Sequence, residues 1–366
     1  LNRILFMPLL QIPSGHHHVA ECITEQLKEA SDCIQCEKVE LLSYCYGKAE
    51  SLVSSTYLQW IHTFPHLYSR IYKSAAVQQA KSNKRFLTYE KLFLKKMLYL
   101  LHQKKPDIVV CTHALPSYLV NQLKSMGLWK GTVINVYTDY FINDLWGIQH
   151  IDYHFVPSFH IKQELRSKGV ESNLIFVTGI PVHPIFKEPR HRLKEQVNYS
   201  ILISGGNMGA GSIMKVLHQL NPLGKVVYRV LCGKNKKLYE SVVRLKHPCI
   251  HAIPYISSKQ DMNQLYNEAD AIISKPGGVT ITECLWKGLP VFVYDALPGQ
   301  EEFNLHYLKQ QGLIYHLEEW KTVTSLEKTI INTINQNLTT FLIKTDAFQK
   351  SIEKQGIPSI IQNLLH

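Results

Sequence analysis

Residues 271–283 read Ala271-Ile272-Ile273-Ser274-Lys275-Pro276-Gly277-Gly278-Val279-Thr280-Ile281-Thr282-Glu283, and the fold follows from how they are parsed. The apolar run to Ser274 suits a buried strand, Pro-Gly-Gly ends it in a tight turn, and the apolar spacing beyond predicts a helix. A helix start leaves backbone amides pointing outward with partial positive charge, which suits an anion. Gly277 and Gly278 let a phosphate come close, Thr280 lies in the first turn, and Glu283 can accept hydrogen bonds from ribose hydroxyls. An ordinary strand-to-helix turn with a solvated glutamate also accounts for Pro-Gly-Gly alone. The next segment favours a ligand. After an apolar strand, Pro290–Tyr294, the chain reads Leu297-Pro298-Gly299-Gln300-Glu301-Glu302-Phe303-Asn304. Gln300, Glu301 and Asn304 fall within about one helical turn and offer the amide and carboxylate groups that bind sugar hydroxyls.

Outward from this pair, strands and helices alternate. Tyr199–Ser204 reads as a strand, Gly205-Gly206-Asn207-Met208-Gly209-Ala210-Gly211 as a glycine loop and Ser212–Leu220 as a helix. Strand Lys225–Cys232, helix Lys236–Leu245, strand Ile250–Ile253 and helix Met262–Glu268 follow. The first half repeats the theme: strand Arg3–Pro8, helix Val19–Ala30, strand Lys38–Leu42, a long basic helical segment, then strand Ile108–Cys111, helix Ser117–Met126 and strand Thr132–Tyr137. Strand His154–Pro157, helix His160–Lys168 and strand Ile175–Thr178 close it. Apolar strands alternating with helices predict an α/β fold with parallel sheets covered on both faces. At 366 residues, 45% of them apolar, the chain can fill two cores. Crowded Pro, Lys, Arg and Glu near 184–196 suggest the break, so the expected domains are 1–185 and 198–345, joined by a linker at 186–197 and followed by a helical tail at 346–366.

KPGGVTITE and LPGQEEFN together resemble the donor-binding motif of glycosyltransferase family 28. The likeness is greatest to its glycolipid-making branch, which holds processive diacylglycerol glucosyltransferases and monogalactosyldiacylglycerol synthases. It spans about residues 16–340. It implies the GT-B architecture: two Rossmann-like domains with parallel sheets facing across a cleft, ligands lying at the carboxyl ends of the strands. It also implies a UDP-sugar site built from Gly206, Asn207 and Gly209 of the glycine loop, Lys275, Gly277, Gly278, Thr280, Glu283, Gln300, Glu301 and Asn304. Cys232-Gly233-Lys234-Asn235 resembles a further family motif and adds Lys234, while Tyr255 and Ile256 are placed against the uracil by analogy. The tail is expected to cross back to the first domain, as in relatives.

The turn Pro13-Ser14-Gly15-His16-His17-His18-Val19-Ala20 follows the first strand. A histidine there can take a proton from an acceptor hydroxyl near neutral pH. Three successive histidines also suit a polar turn, while a metal site is disfavoured because neighbours on one turn point apart. The family's turn is Gly-x-Gly-His with Ala four residues after the histidine. Matching that alanine to Ala20 makes His16 the implied base and adds Gly15 to the implied UDP-sugar site, with Pro13 replacing the first glycine. Asp139, in Val136-Tyr137-Thr138-Asp139, resembles the family's Thr-Asp and is the implied partner or alternative base; as a residue it equally suits a helix N-cap. His113 also stands at a strand end. No aspartate lies two residues from another, so the Asp-x-Asp metal pair of GT-A enzymes is absent and no cofactor is expected.

Forty Lys and Arg against 29 Asp and Glu give a net charge of +11. Between Arg70 and Lys105 only Glu90 is acidic, and Tyr72, Phe86, Leu92, Phe93, Met97 and Tyr99 are interleaved with the basic residues. Such a stretch can lie on an anionic bilayer surface or pack as a helix with a solvated basic face. No nucleic-acid motif accompanies it. No apolar run is long enough to span a bilayer, and Ile4–Ile12 lacks a cleavage pattern. Scattered cysteines, including a lone Cys33-Ile34-Gln35-Cys36, read as reduced thiols. The expected protein is a cytoplasmic, peripheral membrane enzyme that moves a hexose from a UDP-sugar to a lipid hydroxyl such as diacylglycerol. N-acetylglucosaminyl transfer, UDP-sugar 2-epimerisation and non-catalytic binding are the alternatives.

Overall fold

The computed structural model describes residues 2–9, 14–47, 85–188, 190, 198–209, 211–297 and 299–365. The chain divides into two compact units, Leu1–Pro181 with Ser351–His366, and Val182–Lys350.

In the first unit, β1 (Asn2–Met7), β2 (Ile34–Lys38), β3 (Ile108–Cys111), β4 (Thr132–Val136), β5 (Tyr153–Val156) and β6 (Ile175–Val177) form one sheet in the order β2-β1-β3-β4-β5-β6. Every pairing is parallel. Helices α1 (Gly15–Ala30), α2 (Leu41–Tyr46), α3 (Leu87–Lys104), α4 (Ala114–Ser125) and α5 (Phe159–Ser167) make the crossovers. Central β3, Ile-Val-Val-Cys, is buried throughout, as a strand covered on both faces must be. Chain order reverses between β1 and β3, which makes the carboxyl ends of these strands the switch point where ligands bind in such sheets.

The second unit repeats the plan. Strands β7 (Tyr199–Ser204), β8 (Val226–Leu231), β9 (Ile250–Ile253), β10 (Ala271–Ser274), β11 (Val291–Val293) and β12 (Tyr315–His316) lie in the order β12-β11-β10-β7-β8-β9. All are parallel. Helices α6 (Ile213–Leu220), α7 (Lys236–Arg244), α8 (Lys259–Glu268), α9 (Gly278–Trp286), α10 (Gln300–Gln311) and α11 (Leu326–Lys350) accompany them. Here the reversal falls between β7 and β10, so the glycine loop and the Lys-Pro-Gly-Gly turn flank the crevice. Buried Glu327 accepts hydrogen bonds from Tyr228 Oη at 2.8 Å and Leu223 N at 3.2 Å, which fastens α11 to this unit.

Four expectations are corrected. Lys38–Leu42 is not one strand: β2 lies earlier, with Ile4 of β1 opposite Cys36, and Leu41 and Leu42 are buried at the start of α2. Helix α1 begins at Gly15, four residues early, because Ser14 takes the extended N-cap conformation and brings all three histidines into the first turn. The division falls after Pro181, since Phe186 is buried against Tyr266 of the second unit, with ring centroids 5.6 Å apart. Helix α11 runs unbroken to Lys350, so the segment that joins the first unit starts at Ser351. There Glu353 N donates to Val177 O at 2.7 Å, and α12 (Ile357–Leu364) buries Ile357, Ile360 and Ile361. Residues 70–84 of the basic stretch, residues 191–197 of the linker, Pro13, Ala210 and Pro298 lie outside the described residues.

Candidate active site

The second unit assembles most of the anticipated ligand residues around its crevice. Helix α9 starts at Gly278 with no side chain capping it, so its first amides remain available at the end of β10. Gly277, its N-cap, has φ −75°, and a Cβ built there meets nothing within 4 Å. Space beside it is open.

Gly209 is the opposite case. Its φ is +55°, and a Cβ would enter the envelope of the Cys232 carbonyl, so the glycine loop can lie against Cys232-Gly233-Lys234-Asn235 only without a side chain there. Lys234 N donates to Asn207 O at 2.9 Å, and Asn235 Nδ2 donates to Gly209 O at 3.1 Å. Gly206 also has positive φ. Lys234 Nζ lies 5.2 Å over the ring of Tyr255, which is exposed beside half-buried Ile256 after β9. The loops after β7, β8 and β9 thus form one wall of the crevice.

Glu283, on α9, accepts a hydrogen bond from Tyr266 Oη at 2.8 Å. Burial pushes its carboxyl up to about 7, against the opposing effects of the Tyr266 hydrogen bond and the Lys259 charge. On the other wall, Lys275 Nζ pairs with Glu301 Oε1 at 2.9 Å, while Glu301 Oε2 accepts from Leu297 N at 2.6 Å. Lys275 is therefore committed to a carboxylate. Asn304 is 1% exposed, and its Nδ2 donates to Pro276 O at 3.1 Å, bracing the Pro-Gly-Gly turn against α10. Gln300 and Thr280 are half-buried at their helix starts. Tyr294 follows β11 with its hydroxyl buried near Gly211, and that hydroxyl has no hydrogen-bond partner among the described residues.

The first unit holds the other group. The start of α1 and the loops after β3 and β4 bring His16, Thr112, His113, Thr138 and Asp139 together. His16 Nδ1 lies 2.8 Å from Thr112 O and 2.9 Å from Thr138 Oγ1. A carbonyl oxygen only accepts, so Nδ1 carries the proton and Nε2 carries the lone pair. Burial lowers the His16 pKa, opposed by the negative charge of Asp139 and by the Thr112 hydrogen bond. His113 packs edge-on against it, with ring centroids 4.8 Å apart, and its Nδ1 accepts from Leu115 N at 3.1 Å to cap α4. Burial and the neighbouring His16 hold His113 well below its ordinary pKa.

The three adjacent histidines thus separate. His17 is 5% exposed, bonded through Nδ1 to Ser14 Oγ at 3.2 Å, and burial takes its pKa down to about 4. His18 is exposed, and Gly15 is half-buried at the start of α1. His16 is the one bonded to Thr138 Oγ1, and the charge of Asp139 acts on it. Among the described residues, no three His, Cys, Asp or Glu side chains cluster in a way that would hold a metal ion.

Sequence reasoning left out Thr112, Tyr266 and Tyr294. Thr112 acts through its main chain, which no residue type reveals, and Tyr266 and Tyr294 carry no local motif. Thr138 was visible only as part of Thr-Asp.

Twin six-stranded parallel sheets, each with its own helices, are the architecture of the GT-B class of sugar transferases. Residues 16–182 match the monogalactosyldiacylglycerol (MGDG) synthase family, and residues 200–364 match the glycosyltransferase family 28 C-terminal domain. An uncharacterized glycosyltransferase, YkoN, of Bacillus subtilis (strain 168) is 49% identical over 87% of this chain and 85% of its own length. The chain belongs to glycosyltransferase family 28, on its glycolipid-making side. A processive diacylglycerol beta-glucosyltransferase of the same organism is 26% identical over 86% of this chain and 84% of its own. Among solved structures, Acinetobacter baumannii MurG has a TM-score of 0.61 at 16% identity, covering 100% of this chain and 99% of its own, and so shares the fold.

Proposed function

We propose that this enzyme moves a hexose, glucose first, from a UDP-sugar to the hydroxyl of a membrane lipid, diacylglycerol first, with inversion and without a metal ion. The observation that carries this reading is the His16 Nδ1 to Thr112 O bond, because it leaves Nε2 free to receive a proton. In one displacement the acceptor O–H gives its proton to Nε2, its oxygen bonds to the anomeric carbon, and the C–O bond to the diphosphate breaks with its electron pair on UDP. A single displacement inverts the anomeric centre. Negative charge developing on UDP would be met by the amides at the start of α9 and by the glycine loop.

Glu283 is assigned the ribose hydroxyls, and Gln300 with Glu301 the sugar. Relatives named diacylglycerol glucosyltransferases support the lipid acceptor. Helix α3 supports contact with a membrane surface. It buries Phe93, Met97, Leu100 and Leu101, yet Leu87, Tyr89, Leu92 and Tyr99 are exposed on it beside exposed Lys91 and Lys95. No helix among the described residues is long and apolar enough to cross a membrane.

The test is to incubate the protein with UDP-glucose, UDP-galactose or UDP-N-acetylglucosamine and with anionic vesicles containing diacylglycerol, with and without EDTA. A hexosyl-diacylglycerol formed equally in both conditions is expected. Transfer only from UDP-N-acetylglucosamine, a changed sugar nucleotide without transfer, or a strict metal requirement would each overturn a named part of the reading.

A further inference from the structure

His113 is not used in the displacement above, yet it stands beside His16 in a complementary protonation state. A backbone N–H can only donate, so the Leu115 N to His113 Nδ1 bond requires a lone pair on Nδ1 and puts the ring proton on Nε2. A carbonyl can only accept, so His16 has the opposite tautomer, with its lone pair on Nε2. Two imidazoles whose centroids are 4.8 Å apart thus present one acceptor and one donor, each fixed by a main-chain partner. Half-burial of His113 at the end of β3 strengthens any hydrogen bond it makes to a ligand.

We propose that His113 is a second acceptor-binding residue, whose Nε2–H donates to the same hydroxyl oxygen that donates to His16 Nε2. The inference rests on the transferase reading and names the chemistry its acceptor must have. An alcohol oxygen bears one proton and two lone pairs. The proton goes to His16, one lone pair attacks the anomeric carbon, and the other accepts from His113, so the oxygen is held in its attacking orientation. Two hydrogen bonds of about 3 Å can join nitrogens up to roughly 6 Å apart, a span compatible with ring centroids 4.8 Å apart. The arrangement selects a neutral hydroxyl. A carboxylate or phosphate has no proton to give the His16 lone pair, and an ammonium has no lone pair to accept from His113. Protonating His113 would break the α4 cap, so it does not compete with His16 for the proton.

The test pairs His113→Asn with two acceptors. Asparagine places an oxygen where Nδ1 was and so keeps the helix cap, but puts no donor at the Nε2 position. Wild type and His113→Asn would be assayed with UDP-glucose and vesicles of diacylglycerol, or of its analogue with a thiol in place of the hydroxyl, sulfur being a weak hydrogen-bond acceptor. His113→Asn is expected to lower kcat/KM for the hydroxyl acceptor by about 10- to 100-fold. Turnover of the thiol and the KM for UDP-glucose should stay within about twofold. Equal loss with both acceptors would make His113 merely structural and overturn the proposal, as would an unchanged rate with the hydroxyl. Absence of product from wild type with either acceptor would instead overturn the transferase reading itself, and this inference with it.

Discussion

The Nδ1 atom of His16 lies 2.8 Å from the main-chain oxygen of Thr112, a partner that no side-chain substitution removes. It places the ring proton on Nδ1 and leaves the lone pair on Nε2, the basic nitrogen. His16→Ala is therefore expected to reduce transfer by about 10²- to 10⁴-fold while leaving UDP affinity within about twofold, as calorimetry would show. His18→Ala should leave both near wild type, because that side chain is solvent-exposed. A dead His18→Ala beside an active His16→Ala would reverse the assignment.

Asp139 raises the His16 pKa against the lowering by burial. The base works only when deprotonated, so kcat at saturating donor should fall with decreasing pH along a limb below the usual histidine value. Asp139→Asn removes the charge that favours imidazolium, and its limb should lie at lower pH still. A limb displaced upward in kcat profiles would contradict the arrangement.

Glu283 has its carboxyl pushed up to about 7, chiefly by burial. A carboxylate that accepts two ribose hydroxyls must be ionised, so ligand binding and proton release are coupled. UDP affinity should rise with pH through about 7 and level off above it. If only the ionised form binds, affinity at pH 6 is about tenfold below that at pH 8. Glu283→Gln should bind UDP weakly at both, and Tyr266→Phe, lacking the hydrogen bond that favours the carboxylate, should move the midpoint upward. A flat affinity profile for wild type would remove Glu283 from the ribose.

How much of this was legible in sequence depends on whether the determining contacts are local. Buried parallel strands read as apolar runs, and Tyr199–Ser204, Ile250–Ile253 and Ala271–Ser274 have the ends their sequences predict. Edge strand β2 did not, because only Ile34 of Ile-Gln-Cys-Glu-Lys is buried and no apolar run marks it. The Lys-Pro-Gly-Gly turn was legible because glycines and helix start are contiguous. The pairing of Lys275 with Glu301 and the bond from Tyr266 to Glu283 were not, since tertiary packing joins those elements. Asn304 shows the difference best: its amide suggested sugar binding, yet it is buried and braces the turn.

His17 carries a stability cost in acid. Its folded pKa of about 4 lies below the unfolded value of 6.5, so the unfolded chain binds more protons between them. Stability is therefore intact above about 6.5 and lost as pH falls towards 4. The loss between pH 7 and pH 5 amounts to about 2 kcal/mol for this group. His17→Gln, which cannot titrate, should lose correspondingly less over the same interval in urea denaturation. An identical pH dependence in wild type and variant would mean that His17 is not held neutral by its burial.

Gly209 and Gly277 separate what folding requires from what a ligand requires. At Gly209 the backbone is left-handed and a Cβ would collide with the Cys232 carbonyl, so Gly209→Ala should destabilise the second unit by about 2 kcal/mol or more. At Gly277, φ is −75° and a Cβ meets open space, so folding alone does not demand glycine there. Gly277→Ala should keep the wild-type unfolding midpoint. If a phosphate occupies the space at the start of α9, however, the added methyl stands in its way, and UDP should bind about tenfold more weakly or worse. Thermal melts with and without UDP measure both effects on one sample. A Gly277→Ala protein as stable as wild type and equally stabilised by UDP would show that no phosphate comes close to that turn.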